Sequence, residues 1–167
     1  MKFEASDRAK LLKIGVLSLL DLALVLPKGF EDTTIAKSPR EGQVCINVKI
    51  TSLASRPGML TALAFCEQWQ SSVKIVIFNA KSWHYGAFKT GKEMAIYGLC
   101  SYAFGSWQIV NPKITTKIGQ IVPKFKTELK DEELKKLILK YLNLQNLLAE
   151  GLNEKEAKFL ADLQRLD

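Results

Sequence analysis

Histidine occurs once in this sequence, as His84, and the three cysteines, Cys45, Cys66 and Cys100, are scattered with no C-x-x-C pair. A structural zinc site needs four ligands brought together, so this supply argues against one and for three reduced, buried thiols. With one imidazole and no serine or cysteine carrying a spaced acid partner, nucleophilic catalysis has nothing to build on. Long apolar runs are also missing. The longest, near Leu17 to Leu26, is broken by Ser18 and Asp21 and stopped by Pro27, too short and too polar to cross a bilayer. The opening "MKFEASDRAK" has no apolar signal core, so a cytoplasmic protein with no membrane partner is expected.

Acidic residues are scarce in one place only. From Lys37 to Lys126 there are twelve Lys and Arg but just Glu41, Glu67 and Glu93, a balance of +9. The two flanks together hold the other twelve basic and fourteen acidic residues, a balance of −2. The overall +7 therefore belongs to the middle segment. Such a concentration suits a polyanion, most often nucleic acid, although lysines also serve simply as solubilising surface.

What is present reads as helices, then a small barrel, then helices. Asp7 to Ile14 has helical composition with Gly15 placed to end it, and Ser18 with Asp21 makes a capping-box start for a second helix closed by Pro27. "KGFEDTTIAKSPREG" reads as a connecting loop. From Gln43 the period changes to two, with Val44, Ile46, Val48 and Ile50 alternating against more polar neighbours. "SRPG" is a turn, and strands are expected over Met59–Trp69, Ser72–Asn79, Lys92–Phe104 and Trp107–Asn111, the last ended by Pro112. A helical turn or two fits between Ala80 and Phe88. Helix returns with Thr127 or Asp131 as its capping start and runs through Leu144 or Gln145, Gly151 breaks it, and Asn153 with Glu156 starts another.

Five strands with a short helical insert after the third is the layout of an OB-fold, a five-stranded Greek-key barrel in an α+β chain. An SH3-like barrel competes, since strand count separates the two poorly. The expected division is residues 1–36 as an N-terminal helical segment and linker, 37–126 as the barrel, and 127–167 as C-terminal helices.

"GAFKTGKE", Gly86 to Glu93, matches a phosphate loop except at its last place, where a hydroxyl should meet magnesium. "EMAIYGLC" after it reads as a strand, whereas a phosphate loop opens a helix. Gly91 is better read as a turn glycine. The aromatics carry more. In "VKIVIFNAKSW" the alternation puts Val73, Ile75 and Ile77 on one face and Lys74, Val76 and Phe78 on the other. Phe78, Trp83 and Tyr85 lie close together in sequence beside Lys74, Lys81 and Lys89, while Tyr102, Phe104 and Trp107 flank the last hairpin. Barrels that hold single-stranded nucleic acid combine a basic groove with aromatic platforms. Any one such ring is more often core than platform. Phe78 departs from that default by sharing its face with Lys74. Trp69, beside a turn, fits either role. Phosphate contacts are expected from Arg56, Lys74, Lys81, Lys89 and Lys92, with Trp107 as a further contact, giving salt-dependent binding with little sequence preference.

"LLKIGVLSLLDLALVLPKGFEDTT", Leu11 to Thr34, resembles the opening of the RecG family of bacterial ATP-dependent DNA helicases, with Phe30 in an aromatic-E-D tripeptide. "IVIFNA", "FKTGKEMAIYG" and "GLNEKEAKFLADLQ" are similar to the family's third strand, its fourth strand and the segment before its motor. The resemblance implies an OB-like wedge region that splits strands at replication forks or Holliday junctions in repair and recombination. Phe78 is then expected to stack on an unpaired base. Where some members have a second aromatic, this chain has Ser82, with Trp83 one place on. The resemblance further implies that this segment is not itself an enzyme and holds no cofactor. ATP and magnesium would belong to a motor outside these residues, and the segment is expected to be monomeric. Branched DNA is the expected partner, with a single-strand-binding protein a second. The rival reading is a peptide-binding module for an acidic tail such as that protein's.

Overall fold

The alternation that begins at Gln43 becomes the longest strand of a closed barrel. The computed structural model describes residues 2–163. In chain order its first elements are α1 (Ala5–Lys13), α2 (Leu19–Ala23), β1 (Gly29–Asp32), β2 (Gly42–Arg56), β3 (Met59–Cys66) and β4 (Ser71–Phe78). There follow α3 (Ser82–Ala87), β5 (Glu93–Ala103), β6 (Ser106–Ile114), β7 (Ile121–Lys124), α4 (Asp131–Tyr141), α5 (Leu144–Ala149) and α6 (Glu154–Leu163). The chain forms two units, Asp32–Gln120 and a second made of Met1–Glu31 with Ile121–Asp167.

In the first unit the barrel closes in the order β2-β3-β4-β6-β5. β4 and β6 run parallel, from Val73 beside Trp107 to Val76 beside Val110, and the other neighbouring pairs are antiparallel. That order is the OB-fold, and it separates this barrel from an SH3-like one where strand count does not. One strand serves two neighbours: Gly42 to Lys49 of β2 pairs with β5, and Lys49 to Arg56 with β3. The register shift between Ile50 and Ser52 supplies the bend that lets it do so. Inside, Ile46, Ile75, Ile96 and Ile109 are fully buried, and Phe88, just past α3, plugs the core with no exposed surface.

Pro112 does not end the last strand. β6 runs on to Ile114 because Pro112 sits opposite a register shift between Tyr97 and Leu99, where the ladder needs no N–H from it. Gly98 makes room: a Cβ there would lie 2.8 Å from Ile109 Cγ2 and 3.1 Å from Pro112 Cα. The stretch read as a loop contains β1, which pairs with β7 in a two-stranded sheet.

The helical unit buries Leu11, Leu22, Leu134 and Leu147 completely. The starts of α2 and α6 are capped as the sequence implies, whereas α4 begins after Lys130 with no side-chain cap, from neither Thr127 nor Asp131. Asp21 N–H donates to Ser18 Oγ at 3.1 Å while Ser18 N–H donates to Asp21 Oδ2 at 2.9 Å, and Asn153 and Glu156 exchange bonds of 3.0 and 3.1 Å. The helix expected to run into Leu144 divides instead. Asn143 accepts from Asn146 N–H at 2.9 Å and starts α5 afresh. Among the described residues no helix is long and apolar enough to cross a membrane.

Candidate nucleic-acid interface

Residues paired across antiparallel strands share a face, so the register lays out the barrel's outer surface row by row. Phe78 lies opposite Met59, which lies opposite Arg56. The next row holds Val110, Val76, Thr61 and Ala54, and the next Gln108, Lys74, Leu63 and Ser52. Ser72, Phe65 and Lys49 form the last. An outward face of a water-exposed sheet ordinarily alternates to polar residues. Here Phe78, Leu63 and Phe65 keep 50%, 43% and 38% of their surface exposed. Arg56, Lys74 and Lys49 lie among them and no outward position in these rows is a carboxylate. At the end of the last row Glu93 pairs with Lys49 at 3.6 Å.

Why a strand should end in Phe78 and Asn79 is answered by the backbone. The Phe78 N–H donates to Asn111 Oδ1 at 2.8 Å. Asn79 and Asn111 both take left-handed conformations, φ 53° and 45°, which asparagine tolerates better than most residues. Ala80 N–H then donates to Gly58 O at 3.3 Å in the β2–β3 turn. That turn is Pro57-Gly58, with Gly58 at φ 73°, the glycine place of a type II turn. The phenylalanine ring thus projects from a strand end tied on both sides.

The insert carries Lys81 and Trp83. Trp83 stacks on His84 with ring centroids 3.7 Å apart and remains 57% exposed. His84 is oriented by its Nδ1, which accepts the Lys81 N–H at 2.8 Å. Tyr85 reaches back to Ser55 at 3.5 Å between hydroxyl oxygens. Lys89 and Lys92 belong elsewhere. They flank a turn at Gly91, φ 83°, whose backbone bonds to Ile50 at 2.7 and 3.0 Å, six residues along β2 from Arg56. Lys92 lines an open groove with Lys49, Phe65, Gln70, Glu67 and Glu93. The same turn leads into β5 and not into a helix, so it lacks the phosphate-loop geometry.

Trp107 does not join Phe78 on the outer face. Its register beside Val73 turns it toward the interior, where it packs on the core and meets Trp69 and Tyr102 edge-on at 5.9 and 5.1 Å. Trp69 is buried too, its indole N–H donating to Ala36 O at 2.8 Å. Phe104, by contrast, is fully exposed at the β5–β6 hairpin tip with φ 53°. Phe65 and Leu63 are not among the residues that sequence reasoning singles out. The signal that marks them is that β3, "MLTALAFC", is apolar on both faces.

Chemically this surface can stack rings and pair phosphates. The cysteines add no nucleophile to it: all are buried, and burial pushes the Cys100 thiol up to about 11. Among the described residues no group of histidine, cysteine and carboxylate side chains is arranged to hold a metal ion.

Comparison with known proteins is in keeping with this architecture. The family model described as RecG wedge domain matches residues 2–143. Two curated relatives, each named ATP-dependent DNA helicase RecG and from Helicobacter pylori strains J99 and 26695, are 32% identical over 164 and 154 residues. Those alignments cover 96% and 90% of this chain but 26% and 25% of the relatives, so the chain spans about a quarter of their length. A solved structure of RecG bound to a three-way DNA junction is similar with a TM-score of 0.54 at 24% identity, covering 84% of this chain and 22% of that one. With the family model covering most of its length, this chain belongs to the RecG wedge domain family.

Proposed function

We propose that this chain is the branch-point wedge of a RecG-like DNA helicase. It binds replication forks or Holliday junctions and divides their strands against the barrel, in repair and recombination. ATP hydrolysis and the magnesium it needs are supplied by other segments of such a helicase. The chain works as a monomer in the bacterial cytoplasm.

The observation that carries this reading is Phe78: a ring half exposed, on a backbone held at its N–H by Asn111, in one row with Arg56 on a face without carboxylates. Because the strand end is already ordered, stacking on an unpaired base costs little further entropy and is worth about 1–3 kcal/mol. Arg56 and Lys74 pair with phosphates, which fixes position without reading sequence. Lys81 and the exposed ring of Trp83, on the insert that follows Phe78, add a further cation and a further stacking surface. The relatives' name and the junction-bound neighbour support the choice of branched DNA over other polyanions.

The test is competition on a salt series. A labelled three-way fork is bound by the chain and challenged with an acidic peptide that mimics the tail of a single-strand-binding protein. Fork binding that the peptide does not displace, and whose salt slope falls by about 1 in Lys74→Ala, supports the wedge. Ready displacement, with a fork and a matched duplex bound alike, favours the peptide-binding module.

A further inference from the structure

We infer that His84 is a positioning residue: it holds the indole of Trp83 as a preformed platform for an unpaired base of the fork. The inference rests on the wedge reading and adds to it the side chain that readies a second stacking ring.

Neighbouring residues of a helix do not face each other, so helix geometry alone gives adjacent rings no reason to stack. Trp83 and His84 are adjacent in α3, yet their ring centroids lie 3.7 Å apart and their planes within 27° of parallel. The cause is a bond at the helix start. His84 is the third residue of α3, and its Nδ1 accepts the Lys81 N–H at 2.8 Å, the reach that a glutamate or glutamine makes in a capping box. That bond draws the imidazole back toward the first turn, where it meets the indole. The backbone of His84 is tied as well. Its N–H donates to Lys81 O at 2.9 Å, and its carbonyl accepts at 2.8 Å from the N–H of Phe88, a residue fully buried in the barrel core. Trp83 has no such anchorage in the core: α3 buries none of its own residues, and the indole stays 57% exposed.

An exposed side chain ordinarily loses rotamer freedom when a ligand orders it, and that loss is subtracted from affinity. Stacked on a fixed imidazole, the indole has given up part of that freedom beforehand. A ring that is ordered and still in water suits a flat partner such as a nucleobase. Lys81 stands at the same helix start, and α3 carries no carboxylate to repel a phosphate.

The experiment measures binding of a three-way fork with an unpaired arm to the wild-type chain, Trp83→Ala, His84→Gln, the double variant and Phe78→Ala. Glutamine can still accept the Lys81 N–H, so His84→Gln keeps the helix start and removes only the ring. Trp83→Ala is expected to weaken fork binding about 5- to 150-fold, the range of one lost base stack. His84→Gln is expected to weaken it about 2- to 12-fold, which corresponds to ordering one side chain on binding. In the Trp83→Ala background the same His84→Gln change should do nothing further, because His84 acts only through the indole. A merely structural role would keep its effect there. Full-size weakening by His84→Gln in that background, or none in the wild-type background, overturns the positioning role. So does a Trp83→Ala protein that binds the fork as wild type. If Phe78→Ala nevertheless weakens the fork, the wedge reading stands without this role for His84. If Phe78→Ala also changes nothing, both fall.

Discussion

The Phe78 N–H donates to Asn111 Oδ1 at 2.8 Å, just beyond Val76 and Val110, where the parallel ladder between β4 and β6 has ended. A side chain there takes the place of a strand neighbour, and it does so from a left-handed backbone at φ 45°.

Asn111→Ala removes both the acceptor and the residue type suited to that conformation. A lost hydrogen bond is worth about 0.5–1.5 kcal/mol and the left-handed backbone about 1–2 kcal/mol in alanine. Urea unfolding should show a loss of roughly 1.5–3.5 kcal/mol. Asn111→Gly relieves the backbone and loses only the bond, so its stability should fall between those of wild type and Asn111→Ala. Fork affinity should drop in both variants, since each frees the strand end that aims Phe78.

Gly98→Ala tests the closure of the barrel. The added Cβ would meet Ile109 Cγ2 at 2.8 Å and the Pro112 backbone at 3.1 Å, and the backbone cannot give way as a side chain tip would. Overpacking of this kind costs about 1–3 kcal/mol, read as a lower urea midpoint with an unchanged denaturant slope.

Acid should weaken the helical unit through Asp7. Hydrogen bonds from Lys140 at 2.8 Å and Tyr141 at 2.7 Å hold its carboxyl below the ordinary value of 3.8. A carboxylate depressed on folding contributes stability that is fully present above 3.8 and is lost as pH falls through the lower folded value. Asp7→Asn lacks that contribution. The gap in melting temperature between wild type and Asp7→Asn should therefore hold steady from neutral pH down to about 4 and narrow below it.

How far the sequence discloses this molecule depends on whether the deciding contact is local. The caps at Ser18 and Asn153 and the alternation from Val44 to Ile50 are set by residues close to one another in the chain, and all are legible. So is the split of β4 into a core face and a face shared by Lys74 and Phe78. β1 is not legible, because a four-residue strand shows no period and its partner β7 begins some ninety residues away. Pro112 misleads for the same reason: its tolerance comes from Gly98, on the neighbouring strand. Trp107 shows the limit at the site. Its aromatic character is plain, but only the register beside Val73 decides that it faces inward. Phe65 is the converse, an ordinary core residue by composition that the pairing with Ser72 places outside.

The most direct test of a stacking wedge is the affinity of this chain for a three-way fork and for linear duplex of matched length, with and without Phe78→Ala, over a salt series. Tighter binding to the fork is predicted. In Phe78→Ala that preference falls by about 5- to 150-fold while duplex binding and the salt slope stay as they were. Fork and duplex bound equally by the wild-type chain, with Phe78→Ala indistinguishable from it, would contradict a stacking role for Phe78 at a branch point.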